Sequence, residues 1–137
     1  MLKILCFKAA NNLYGIETHH VKEIYRNPEI TEIPLAPPTV AGMINLRGQV
    51  VTLLDFEKLL GCPTAGQKNH CIVLKKEPAE SDLIALLVQK AIDVIDVDET
   101  ICEVPPPYLE NQYGKTIQCI AKLEQALLII IDKEKLF

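Results

Sequence analysis

The stretch Gly42-Met-Ile-Asn-Leu-Arg-Gly-Gln-Val-Val-Thr-Leu-Leu-Asp-Phe-Glu-Lys-Leu-Leu-Gly61 decides the fold, because its pattern returns at the far end of the chain. Leu123, Leu127, Leu128, Ile130, Ile131, Asp132, Lys135 and Leu136 take the places of Leu46, Val50, Val51, Leu53, Leu54, Asp55, Lys58 and Leu59 at a constant shift of 77 positions. Upstream, Val21-Lys-Glu-Ile24 and Ile30-Thr-Glu-Ile-Pro34 line up with Ile92-Asp-Val-Ile95 and Ile101-Cys-Glu-Val-Pro105 at a shift of 71. The two shifts differ by 6, the size of an insertion after the second proline cluster. Similar elements in the same order in each half imply two units of related fold.

Short runs rich in β-formers lie at 2–7, 14–16, 40–46, 50–54, 71–74, 83–88, 117–123 and 126–131. Turn signals separate them, among them Asn11-Asn12, Arg47-Gly48 and Glu124-Gln125. Strands at this spacing predict an all-β chain of small barrels with few helical turns. The runs 50–54 and 126–131 are nearly unbroken apolar and are expected to be buried on both faces, near a seam shared by the two units. Pro34-Leu-Ala-Pro-Pro38 and Pro105-Pro-Pro107 punctuate each half with extended connections. Asp55 and Asp132 are placed to cap short helical turns at 56–60 and 133–137, with Gly61 as a stop after the first. The expected organisation is one domain, 1–137, with halves near 1–66 and 67–137 between which terminal strands can cross.

A chain of 137 residues that is 49% hydrophobic buries a sizeable core, but in one domain or two small, intimately packed subdomains. A net charge of -4 and a pI near 5.4 give no electrostatic reason for nucleic acid. The first residues lack the long apolar core of a signal peptide, and no apolar run is long enough to span a bilayer. A cytoplasmic protein without direct membrane insertion is expected. The odd set Cys6, Cys62, Cys71, Cys102 and Cys119 has no C-x-x-C and fits reduced thiols in apolar surroundings.

Catalytic machinery is not legible. The six glycines, Gly15, Gly42, Gly48, Gly61, Gly66 and Gly114, make no phosphate loop or dinucleotide fingerprint, so no cofactor is expected. Ser81, the only serine, lacks a nucleophile elbow. His70-Cys71 with Cys62 has the wrong spacing for zinc. His19 and His20, with Glu17 and Glu23 nearby, invite a metal or acid–base reading. Adjacent side chains diverge on a regular strand or helix, and no third ligand is spaced to complete a site. Solvated histidines and no metal are the expectation.

Arg47 lies at the expected tip of the hairpin joining 40–46 to 49–54, beside Gly48, which can supply a positive φ. A planar cation on a rigid hairpin suits a partner's carboxylates or carbonyls. A solvated turn arginine explains it equally well, and the residues alone leave both readings open.

Val21-x-Glu-Ile24, Glu32-Ile-Pro34, Gly42-x-Ile-Asn-Leu-Arg-Gly48, Val50-Val51, the Leu-Leu-Asp before Leu59-Leu-Gly61, Leu86-Leu-Val88 and the terminal Ile-Ile-Asp together resemble the CheW family across essentially the whole chain. The resemblance implies two packed five-stranded SH3-like β-barrels. It also implies a non-enzymatic adaptor joining chemoreceptor hairpin tips to the regulatory domain of a CheA-type histidine kinase, and recruitment to membrane-associated receptor arrays through those partners. It places receptor contacts on Val21, Glu23, Asn45, Arg47 and Gly48 and leaves the kinase-binding residues unassigned. Gln89 replaces the family's usual Asp, and Cys119 its usual Gly. The N-terminal extension is also minimal. These changes keep open a divergent regulatory or self-assembling module in a non-flagellar pathway, since a changed rim alters specificity more readily than fold.

Overall fold

A computed structural model describes residues 1–62, 66–78, 83–105 and 116–136. Ser81, Pro106, Pro107, Gly114 and Phe137 lie outside the described residues. Eleven strands follow one another among the described residues: β1 Leu2–Ala9, β2 Asn12–Glu17, β3 Val21–Arg26, β4 Val40–Leu46, β5 Gln49–Asp55, β6 His70–Leu74, β7 Leu83–Val88, β8 Lys90–Val97, β9 Cys102–Glu103, β10 Ile117–Lys122 and β11 Leu127–Ile131. Among the described residues one short helix, α1 Phe56–Leu59, follows β5, and 3-10 turns occupy Thr18–His20, Glu99–Ile101 and Lys133–Lys135.

These strands form two sheets of the same design. One has the order β3-β6-β7-β5-β4 and the other β8-β1-β2-β11-β10-β9. Position by position, β8 stands for β3, β1 for β6, β2 for β7, β11 for β5 and β10 for β4. Each sheet has one parallel pair at the same place, β5 with β7 and β11 with β2. The sixth strand, β9, is only two residues long, and the isolated Thr31–Met43 bridge stands near its counterpart in the other sheet. Residues 21–88 supply all five strands of the first unit. The second unit combines 90–131 with the N-terminal hairpin 2–17.

Period-2 alternation on a strand separates its two faces, and here it feeds three clusters. Ile44, Val51, Leu53, Cys71, Val73, Ala85 and Leu87 fill the first unit. Ile4, Cys6, Val97, Cys119, Ala121, Leu128 and Ile130 fill the second. Between the sheets, Leu5, Phe7, Tyr14 and Ile16 meet Leu54, Phe56, Ile72, Leu86 and Val88. Phe56 stands edge-on to both Phe7 and Tyr14, with ring centroids at 5.0 and 5.1 Å, an arrangement that aromatic quadrupoles favour.

The burial expected for 50–54 and 126–131 needs correction at one end. Leu54 and Ile131 do reach the seam, and Leu53 and Ile130 the unit interiors. Val50 and Leu127, equivalent by the shift of 77, are instead 61% and 56% exposed. Each lies at the start of its strand, next to the connecting turn. Asp55 and Asp132 cap as expected: Oδ1 of each accepts, from the N–H of Lys58 at 3.3 Å and from that of Glu134 at 3.1 Å.

A buried ionic group couples α1 to the other sheet. Glu57 is fully buried, and its carboxylate accepts from the N–H of Ala10 at 2.5 Å, in the turn between β1 and β2. Lys68 Nζ lies 3.4 Å from Glu57 and 2.5 Å from Asp55. At that same β1–β2 turn, Gln89 Oε1 accepts from the N–H of Asn11 at 3.0 Å.

Candidate functional site

The site begins with an edge. β3 and β4 are the outermost strands of the five-stranded sheet, yet Tyr25 of β3 packs with the interior cluster that holds Ile44, and Leu46 packs there too. The sheet therefore curls until its edges face one another. A groove of about 240 Å³ runs along this junction, lined by Tyr25, Arg26, Pro28, Ile44, Asn45 and Leu46.

Across the junction, the Arg47 guanidinium donates to the Glu23 carboxylate in an ion pair. Tyr25 Oη donates to the same carboxylate oxygen at 3.3 Å. Glu23 and Tyr25 share a face because they stand two apart on a strand. The hydrogen bond from Arg47 holds the Glu23 carboxyl below the usual carboxylate range, and burial pushes the Tyr25 phenol up. The guanidinium remains open to solvent, with its side chain 67% exposed.

The hairpin that presents Arg47 is tightly specified. Leu46 pairs with Gln49, leaving a two-residue loop in which Arg47 has φ 51° and Gly48 φ 85°. Two successive positive φ values match the turn whose twist suits a hairpin. Asparagine-like residues normally fill its first position, so Arg47 stands there at some conformational cost. Asn45 offsets part of it, its Oδ1 accepting from the N–H of Gly48 at 2.9 Å.

Of the five residues assigned by resemblance, Glu23 and Arg47 meet directly, and Asn45 and Gly48 meet through the turn. Val21 instead packs against the inter-sheet cluster at the start of β3. Tyr25 was not among them, although its i+2 spacing from Glu23 was a usable signal. The histidine expectation also changes. Glu17, His19 and His20 converge through a 3-10 turn rather than diverging as on a strand, bringing one nitrogen or carboxylate oxygen from each to within 4.8 Å of the others.

Fold and edge together define a class of all-β proteins built from two like units, with a charged junction presented on one of them. Among the described residues no helix is long and apolar enough to cross a membrane. The family profile described as the CheW-like domain matches residues 3–137, and the chain belongs to that family. It is 31% identical to a chemotaxis protein CheW of Bacillus subtilis over 95% of this chain and 83% of that one. A Thermotoga maritima chemotaxis protein CheW is 22% identical, covering 98% and 86%. The crystal structure of the scaffolding protein TtCheW from Thermoanaerobacter tengcongensis superposes with a TM-score of 0.87 at 31% identity, covering 99% of this chain and 87% of that one.

Proposed function

We propose that this chain is an adaptor of bacterial chemotaxis, coupling chemoreceptors to a CheA-type histidine kinase without chemistry of its own. Membership of a family whose relatives are named chemotaxis proteins, and likeness to a named scaffolding protein, support the coupling role. The observation that carries the receptor half is the Glu23–Arg47 pair, set across two facing strand edges beside an open groove. A helical receptor tip offers carboxylates and carbonyls to such a cation, and apolar side chains to the groove. Arg47 is held ready by Glu23 and the turn, so little ordering entropy is lost on contact. Val21, Asn45 and Gly48 belong to the same surface in this reading, and the kinase regulatory domain docks elsewhere, barrel against barrel.

The test is binding of a purified receptor hairpin tip and, separately, of a kinase regulatory domain. Arg47→Glu is expected to weaken receptor binding at least about tenfold, because a charge-assisted contact becomes repulsive. Kinase binding stays unchanged. Equal receptor affinity in a variant that circular dichroism shows to be folded would return Arg47 to a solvated turn residue.

A further inference from the structure

We propose that Glu17, His19 and His20 form a binding site for a divalent cation of the zinc class. One ligand atom from each residue lies within 4.8 Å of the ligand atoms of the other two. The backbone explains the convergence. β2 ends at Glu17, which keeps extended dihedrals of -62° and 133°, and the next three residues wind into a 3-10 turn closed by the N–H of Val21 on the carbonyl of Thr18. In so tight a turn, sequence neighbours are not forced onto opposite faces as they are on a strand. The rings of His19 and His20 accordingly lie side by side, with centroids 4.0 Å apart and planes tilted by 45°. Nδ1 of His19 stands 4.0 Å from Oε1 of Glu17.

Two imidazoles and one carboxylate form a donor set suited to zinc and poorly suited to magnesium or calcium, which prefer oxygen throughout. Ligand atoms about 2.0–2.1 Å from a tetrahedral zinc stand roughly 3.4 Å from one another. The separations here, all within 4.8 Å and 4.0 Å between His19 and Glu17, exceed that by at most about 1.4 Å. His19 is open to solvent, its side chain 63% exposed, which leaves an entry path and room for a water as fourth ligand. The backbone is fixed behind it, because the N–H of Lys75 donates to the carbonyl of His20 at 2.8 Å. Lys133 and Glu134 also act electrostatically on His20. The ammonium of Lys133 is directed to the carbonyl of Lys75, at 3.1 Å. Glu17 and Glu134 act on His20 in the opposite sense to Lys133 and His19. Because β2 belongs to one sheet and β3 to the other, a cation here clips the linker between the two units.

The test uses untagged full-length protein titrated with zinc chloride in a calorimeter and in a thermal melt. One zinc per chain is expected, with a higher melting temperature in its presence. His19→Ala, an exposed position, and Glu17→Gln, which preserves shape, should each weaken binding by about tenfold or more, since even outer partners of a metal ligand are worth roughly 10–100-fold. Circular dichroism of both variants verifies that they fold. Cobalt substitution should give a spectrum free of thiolate charge-transfer bands. Absence of binding, an affinity unchanged from that of the unmutated protein in both variants, or cobalt bands from cysteine ligation would each overturn the proposal.

Discussion

Nδ1 of His70 accepts the backbone N–H of Ala91 at 2.8 Å, so a side chain of the five-stranded sheet completes the hydrogen bonding of the six-stranded one. His70 is 7% exposed. An accepting Nδ1 carries no proton, and burial, helped by the nearby cations Arg26 and Lys90, lowers the pKa of the ring.

That relationship predicts a pH dependence. The unfolded chain binds the His70 proton near pH 6.5, whereas the folded chain resists it until lower pH. The contribution is therefore complete above about pH 6.5 and is lost as pH falls towards the folded value. His70→Leu should cost about 1 kcal/mol at pH 8, where the hydrogen bond is intact. It should also flatten the fall in melting temperature between pH 7 and pH 5. An unchanged slope would show that His70 is not the titrating group.

Exchanging the charges of the edge pair separates pairing from recognition. Glu23→Arg together with Arg47→Glu should restore the melting temperature lost by Arg47→Glu alone, because the two side chains meet directly. Receptor-tip binding should not recover, since the cation no longer stands at the hairpin tip. Recovery of both would mean that the pair serves stability only.

Glu57 anchors α1 to the turn of the other sheet, so Glu57→Ala should cost about 3 kcal/mol by removing one partner from a buried ionic group. Glu57→Gln should cost less, as its amide oxygen still accepts from the N–H of Ala10. Urea midpoints of the two variants give the comparison.

Gly42 has φ 151°, and a Cβ placed on it would stand 2.5 Å from the carbonyl oxygen of Thr31. The N–H of Met43 donates to that same oxygen at 2.8 Å. Gly42→Ala should separate the bridge and cost about 1–3 kcal/mol, read as a lower melting temperature with the overall circular dichroism retained.

The internal repeat made much of this architecture legible. The shift of 77 carries β4, β5 and α1 onto β10, β11 and the Lys133–Lys135 turn. The shift of 71 aligns β3 with β8, yet neither is legible as a strand in the sequence. Both are edge strands of the two repeated five-strand sets, and residues such as Lys22, Arg26, Asp93 and Asp96 break up their apolar pattern. That β1 and β2 do for one sheet what β6 and β7 do for the other was hidden too, because the two pairs share position without a readable repeat. At the site, the Arg47–Gly48 hairpin could be read locally. Its partner Glu23 could not, since that contact exists only after a sheet has curled. Glu57 and Lys68 look like surface charges in sequence and gain their importance from burial.

During synthesis, the permuted strand order means that the first strands made are among the last to be completed. Residues 21–88 leave the ribosome as a contiguous unit able to close on itself, whereas the hairpin 2–17 waits for β8 and β11. At roughly 5–20 residues per second that wait lasts seconds. One face of the hairpin, with Phe7 and Tyr14, can rest meanwhile against Phe56 and Ile72 of the finished unit. The opposite face, with Ile4 and Cys6, stays uncovered until Leu128 and Ile130 arrive. The strand order thus predicts a nascent chain that matures in two stages, the first unit acting as the template on which the second is laid.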